Sequence, residues 1–494
     1  MLRVRAFGIL RAAVVPASAP VAQRVPAARP ISTTECVGAK QAAPKKKVSQ
    51  RRGGLTGMRK TGGRRKGGVD TASSLTKSTG HYASRPDMSF LAVLDATAIT
   101  TEAIGAPVAW APKALEAMAA FGLPRELLRT QSLQPRPRSL VREASVAVVD
   151  VLERGQKAKE GVQRHLLVGD PGCGKSTYLL QAMAHALESG WAVLYIPRAV
   201  DLVNSSSPYS YNAALGTYLQ PEVASGLLAS LQETNAKVLA RVPCATAVEV
   251  EGRELFSAGM PLDRIVRTTL AEHPSPVARQ QVLDAVLHTL AQQTEVPFLV
   301  AIDDAQALFS TTAYRDADFA QLQSFELAAV RSLLGLLVAP ETGEGVQRGA
   351  VLMTTSSTHS EYPVPPELLA ALREMCGETG ASAAWVDVLA TFSSPTSPTR
   401  VQEPHAYTPM HPQQVTNARA AHLVPLPVGQ RLGVDEAASL LDLLHRERAI
   451  WTSAWWMRAS SDNAAPNDEI FTAKLVESDG NMRVFERSWR SSLQ

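Results

Sequence analysis

Long apolar runs, clustered cysteines and N-terminal acids are all scarce in this chain, and each shortage excludes something. No stretch of the 494 residues approaches the roughly 18 consecutive apolar positions that a conventional membrane-spanning helix needs. The four cysteines, Cys36, Cys173, Cys244 and Cys376, lie far apart. Neither a zinc ribbon nor a disulfide scaffold is signalled, and reduced thiols in a reducing compartment fit better. The ten histidines show no His-Glu-x-x-His or other ligand spacing. An Asn-Lys-x-Asp loop, which reads guanine in small GTPases, is also missing, so the motifs alone leave the base of any nucleotide open. No internal repeat is present.

Acid is missing where base is plentiful. Residues 1–68 carry 16 Lys or Arg against Glu35 alone, leaving 34 bases and 45 acids for the rest. The formal charge of +4 therefore hides a basic arm on an acidic body. The arm has two parts. Residues 1–31 contain Arg3, Arg5, Arg11, Arg24 and Arg29 and no acid, and as a helix would gather Leu2, Ile9, Leu10 and Ala13 away from them. Such a start is what mitochondrial import reads, and Arg29-Pro30-Ile31 resembles a matrix-processing site ahead of Ser32. A basic tail without targeting function is the alternative. In the second part, residues 32–85, the run PKKKVSQRRGGLTGMRKTGGRRKGG (44–68) is low-complexity and has no apolar pattern to offset ordering entropy. It reads either as a disordered polycation whose natural partner is a phosphate backbone, or as a continuation of the targeting signal or a solvated tail. Without interleaved aromatics, base stacking is not expected of it.

From about residue 86 the pattern is α/β. HLLVG (165–169), WAVLYIP (191–197), PFLVAI (297–302) and AVLMTT (350–355) read as buried strands. Leu179, Ala182, Met183, Ala186 and Leu187 mark a helix between the first two, and Leu322, Phe325, Val330, Leu333 and Leu337 mark one before the fourth. Alternating strands and helices imply a mainly parallel sheet covered on both faces. Around this core, residues 86–150 form an N-terminal extension with helices near Leu115–Phe121 and Val141–Leu152. Residues 151–392 form the nucleotide-binding domain and the Pro/Ser/Thr-rich residues 393–416 a linker or surface excursion. Residues 417–494 form a helical C-terminal region with patterns at 434–448, 449–458 and 468–478.

The strongest chemical signal is GDPGCGKS, Gly169 to Ser176, which matches G-x-x-x-x-G-K-S between a strand and a helix. Gly169, Gly172 and Gly174 let the backbone curl so that the N–H groups of the loop, which also contains Asp170, Pro171 and Cys173, face a phosphate. The helix N-terminus adds partial positive charge. Lys175 would reach the β- and γ-phosphates, and Ser176, with Thr177 beside it, would offer a hydroxyl to Mg²⁺. PFLVAIDD supplies the second half: Asp303 is placed to hold Mg²⁺ through water. Asp304 stands where vigorous ATPases carry a Glu, one methylene longer, so it is either a candidate catalytic residue or a helix cap before AQALF. Thr354, Thr355 and Ser356 end the next strand, where hydroxyls either sense the γ-phosphate or form the turn. Arg331 is either an arginine finger or a surface base. Trp451, Trp455 and Trp456 read as packing residues.

LLVGDPGCGKSTYL, SGWAVLYIPRAVDLV and PFLVAIDDAQAL together resemble the death-associated protein 3 family. FGLPRELLRTQSLQPRPRSLVRE (121–143) is similar to that family's segment before the phosphate loop, and KLVESDGNMRVFERSW (474–489) resembles its fungal-type ending. The resemblance implies an AAA-like P-loop NTPase core with GTP or GDP in its pocket; Ser176 and Asp303 add Mg²⁺, and the short Asp304 leaves at most slow hydrolysis expected. The resemblance further implies a place in the mitochondrial matrix, in the head of the small ribosomal subunit among ribosomal RNA and ribosomal proteins, with no homo-oligomer. The contrasting expectation is a soluble matrix AAA-like ATPase that forms a ring.

Overall fold

All four apolar runs become neighbouring strands of one sheet in the computed structural model. It describes residues 86–157, 162–250, 252–272, 274–338, 345–356, 360–378, 409–429, 431–450 and 468–490. The import segment, the basic arm, the three tryptophans at 451–456 and most of the 393–416 stretch lie outside those residues. Within them, β1 (Gln163–Val168), β2 (Ala192–Ile196), β3 (Phe298–Ile302), β4 (Gly349–Thr354) and β5 (Val424–Pro427) form a sheet of order β5-β1-β4-β3-β2. Every pairing is parallel.

Side chains alternate between two cores, as the two-residue period of a strand dictates. Leu166, Val168, Leu194, Ile196, Val300, Ile302, Val351 and Met353 enter one, under helices Pro221–Leu239, Leu262–Glu272, Pro276–Gln292 and Ala328–Leu337. Leu167, Val193, Tyr195, Leu299, Ala301 and Leu352 enter the other, under helices Glu143–Gln156 and Lys175–Glu188. Burying one such aliphatic side chain contributes roughly 1.5–3 kcal/mol, so both faces must be covered for the sheet to exist.

Two local readings change. Leu322 lies in a short strand, Gln321–Gln323, and Phe325 in a 3-10 turn, Ser324–Glu326; the helix begins only at Ala328. Glu326 accepts from the Gln323 N–H at 2.6 Å and so ends the extended segment before the helix. At the other end, Pro412–Ala420 is helical, so the Pro-rich stretch gives way to regular structure before 416.

Beyond the sheet, strands Ala92–Leu94, Pro107–Trp110 and Arg138–Leu140 form a small sheet. The C-terminal helices Val434–Arg446 and Met482–Arg490 pack on it through Ala109, Leu140, Leu440, Leu444, Phe485 and Trp489. The N-terminal extension and the C-terminal region thus share one core. Among the described residues no helix is long and apolar enough to cross a membrane.

Candidate functional site

The registers Ile302↔Met353 and Thr354↔Leu167 bring the carboxyl ends of β1, β3 and β4 to one level. A cavity of about 380 Å³ opens there. In open α/β sheets this is where ligands bind, because the connections diverge from it. Pro171, Gly172, Gly174, Lys175, Ser176 and Thr177 line the cavity together with Asp303, Asp304, Thr355 and Ser356. One pocket thus gathers most of the residues singled out from sequence. Gly169, Asp170 and Cys173 do not line it.

The loop's shape follows from its glycines. Gly172 (φ 89°) and Gly174 (φ 109°) occupy the left-handed region that side chains resist. Space is as restrictive as torsion at Gly172: a Cβ there would come 2.7 Å from Asn481 Oδ1 and 2.9 Å from Arg483 Cβ. Lys175 Nζ curls back and donates to the carbonyls of Gly169 (2.6 Å) and Asp170 (3.0 Å). Cys173 is a buried free thiol, and its carbonyl accepts from Tyr178 Oη at 3.2 Å and Arg142 Nη1 at 3.3 Å. Arg142 also donates to Tyr178 Oη at 3.0 Å and pairs with Glu436 at 3.3 Å. One buried guanidinium therefore ties the loop to both the N-terminal extension and the C-terminal region.

Asp303 is buried, and its carboxylate accepts from the Thr354 hydroxyl and from the Asp304 N–H at 2.9 Å. Burial first, and the neighbouring Asp304 charge second, push its carboxyl up to about 6, against hydrogen bonds from Ser176, Thr354 and the Asp304 backbone. Thr354 spends its hydroxyl on Asp303; Thr355 and Ser356 are the members of that trio that face the cavity. Gln306, fully buried, fixes the turn after β4 by donating to the Ser356 carbonyl at 3.1 Å and accepting its N–H at 3.1 Å. Asp304 takes the left-handed conformation (φ 57°) at the N-cap position of the 3-10 helix Ala305–Phe309, but its side chain makes no capping bond. Arg331 donates to the Phe325, Leu215 and Gly216 carbonyls and is not among the cavity's lining residues.

Several contributors escape sequence reasoning. Arg198, just after β2, lines the cavity and pairs with Asp201 at 3.1 Å. Glu126 enters from helix Arg125–Ser132, and Arg483 from helix Met482–Arg490. Asn481 Nδ2 donates to the Pro171 carbonyl at 2.8 Å, and the Arg483 N–H donates to the Gly172 carbonyl at 3.4 Å. Glu126 and the Asn481–Arg483 segment lie inside the stretches that carried the family resemblance, but nothing in their spacing announces contact with the loop. Among the described residues no group of three or more His, Cys, Asp or Glu is placed to hold a metal by itself.

A phosphate chain with Mg²⁺ matches the chemistry of these groups. The first N–H groups of helix Lys175–Glu188 have no preceding helical carbonyl and point toward the loop. The Ser176 hydroxyl and the Asp303 carboxylate are the hard oxygen donors that Mg²⁺ prefers.

Comparison with known proteins adds the lineage. The chain is 29% identical over 221 residues to the small ribosomal subunit protein mS29 of Schizosaccharomyces pombe, covering 44% of this chain and 45% of that one. It is 27% identical over 243 residues to mS29 of Neurospora crassa, covering 48% and 50%. The mouse mS29 is 26% identical over 239 residues, covering 47% and 59%. The matched stretch thus spans about half the length of these relatives. A family model described as mitochondrial ribosomal death-associated protein 3 matches residues 139–488, from the strand beneath the cavity to the helix that crosses its loop. The chain belongs to the mitochondrial ribosomal death-associated protein 3 family.

Proposed function

We propose that this protein is a nucleotide-binding component of the small subunit of the mitochondrial ribosome, working in the matrix in support of mitochondrial translation. The relatives' shared name, small ribosomal subunit protein mS29, supports the ribosomal reading. The nucleotide reading is carried by one observation: the glycine loop, Lys175, Ser176 and the buried Asp303 converge on a single cavity at the carboxyl end of a parallel sheet. That arrangement is the one a P-loop NTPase core requires.

The bound group would be GTP or GDP with Mg²⁺, guanine being what the family resemblance implies. The metal, when bound, neutralises phosphate charge. Ser176 and Asp303 would hold it, directly and through water. Lys175 would turn from the loop carbonyls to the phosphates. Asp304 is the candidate to orient water, but its carboxylate is short and lies beside a buried acid that already resists ionisation. Hydrolysis is expected to be slow, because Asp304 is one methylene shorter than the Glu that orients water, and the finger candidate Arg331 would bring its factor of about 10³–10⁵ only by reaching the phosphates. Arg331 is committed to backbone carbonyls elsewhere. The basic arm would meet ribosomal RNA and the acidic body ribosomal proteins, without a homo-oligomer.

Two measurements test this. Nucleotide extracted from the purified protein should be guanine, with Lys175→Ala losing it, and the protein should co-sediment with the small subunit in high salt. Adenine nucleotide turned over many times per minute by a free ring would overturn the reading in favour of a soluble ATPase.

A further inference from the structure

The cavity already holds an anion of the protein's own. Glu126 lines it, and its carboxylate is gripped by Arg483 and, at 3.2 Å, by Arg487. Arg483 reaches Glu126 by running across the phosphate loop: its Cβ and Cδ lie 2.9 and 3.3 Å from where a Cβ on Gly172 would stand, and its N–H bonds the Gly172 carbonyl. The stem of Arg483 therefore lies against the loop's Gly172, and its guanidinium has a carboxylate as its partner. Helix Arg125–Ser132, which brings the carboxylate, has no fully buried side chain, and the partly buried Leu127 is its apolar anchor on the core, so it is lightly held. Its ion pairs with the C-terminal helix are half-exposed, which makes them weak and exchangeable.

We propose that Glu126 is an internal competitor for the phosphate chain: it occupies Arg483 until a nucleotide phosphate takes its place, which leaves helix Arg125–Ser132 tied to the C-terminal helix through Arg487 alone and so loosens it. The inference rests on the nucleotide reading above and adds to it a phosphate ligand, Arg483, and a movable element. The exchange is favourable because a phosphate at the loop would be met by Lys175, the helix N-terminus and Arg483 together, whereas Glu126 meets only the two arginines. No bond to the chain changes; a charge-assisted contact is traded for another.

The test is a titration of Mg·GDP, with Mg·ADP alongside, into the full chain and its variants. Glu126→Gln, which keeps size but removes the competing charge, should tighten binding about two- to fivefold, the range for an exposed ion pair. Arg483→Ala should weaken it about tenfold or more, as expected for losing a charge-assisted bond to phosphate. In the Arg483→Ala background, Glu126→Gln should have no further effect. Hydrogen exchange should rise in residues 125–132 when Mg·GDP is added to the wild type, and be already high in Glu126→Gln. Should Lys175→Ala abolish binding while Glu126→Gln leaves it unchanged or weaker, the nucleotide reading stands and this inference is overturned. Absence of nucleotide binding by wild type and Glu126→Gln alike overturns both.

Discussion

Asn481 and Pro171 are 310 positions apart in sequence, yet the Asn481 side-chain amide donates to the Pro171 carbonyl at 2.8 Å. That bond, together with Arg483 N–H to the Gly172 carbonyl, makes the C-terminal segment a structural wall of the phosphate loop. Removing the amide by Asn481→Ala should leave the Pro171 carbonyl without this partner, at a cost of about 1 kcal/mol. Mg·GDP affinity should fall several-fold while Lys175 remains intact. Calorimetric titration checks it, and unchanged affinity would show that the wall is passive.

Gly172 carries both a torsional and a steric demand. Gly172→Ala must hold a side chain at φ 89° and push it against Asn481 and Arg483, whereas at Gly190, with φ 76°, nothing lies within 4 Å of the added Cβ. The torsional cost is about 1–2 kcal/mol in either place. The alanine at 172 should therefore lower the melting temperature more than the alanine at 190, and it alone should reduce nucleotide binding. Equal shifts in the two variants would remove the contact with the C-terminal segment from the explanation.

Asp303 gives the protein a pH signature of definite sign. Its carboxyl is raised from the ordinary 3.8 to about 6, so between those values the folded chain keeps a proton that the unfolded chain has lost. This group's contribution is most favourable below about 4 and is lost as pH climbs through about 6. Asp303→Asn removes the ionisation. The metal-free variant should melt above wild type at pH 7.5, with the gap closing toward pH 4.5, and it should lose Mg²⁺-dependent nucleotide affinity. A gap that widened on acidification would refute the assignment.

Arg138 and Glu447 form a buried pair, extended by Arg490 to Glu447 at 3.3 Å and to Glu486 at 3.1 Å. Glu447→Ala takes away the closer partner of the buried Arg138, leaving it Glu486 at 3.6 Å, which Arg490 also uses, and should cost about 3 kcal/mol in denaturant unfolding. The double change Arg138→Met, Glu447→Leu leaves Arg490 balanced by Glu486 and should recover most of that loss. If the double variant unfolds as readily as the single one, the charge pairing is not what holds the two terminal regions together.

The basic arm can be tested separately. Deleting residues 40–66 should weaken small-subunit association and flatten its dependence on salt, because fewer counterions are released. Association that is unchanged across a salt series would assign the arm to import alone.

Much of this was readable in the chain, for physical reasons. β1 to β4 announce themselves because a strand covered on both faces must be continuously apolar, and Gly169–Ser176 with Asp303 because their chemistry tolerates few substitutes. β5 was hidden: Val424–Pro427 contains two prolines, which ordinarily argue against a strand. It survives because it lies at the sheet's edge, where a missing N–H disrupts no ladder on the outer side. The helices Pro221–Leu239, Leu262–Glu272 and Pro276–Gln292 between β2 and β3 carry no chemical motif and were not anticipated. Arg142, Glu126 and Arg483 were invisible as site residues since only tertiary packing brings them to the loop.

The position of β5 bears on when the protein becomes competent. β1, whose end launches the phosphate loop, gains its second neighbour only when residues 424–427 arrive, and the loop gains Asn481 and Arg483 later still. A chain emerging from its amino end, from a ribosome or through an import channel, would present β1 as an open edge until residues 424–427 are delivered. Such an edge is a template for mispairing. Completion of the site is thus a check on the integrity of the whole polypeptide: a chain truncated before 424 keeps the glycine loop in sequence but cannot build its walls, and chaperones would have to shield its sheet until the end comes through.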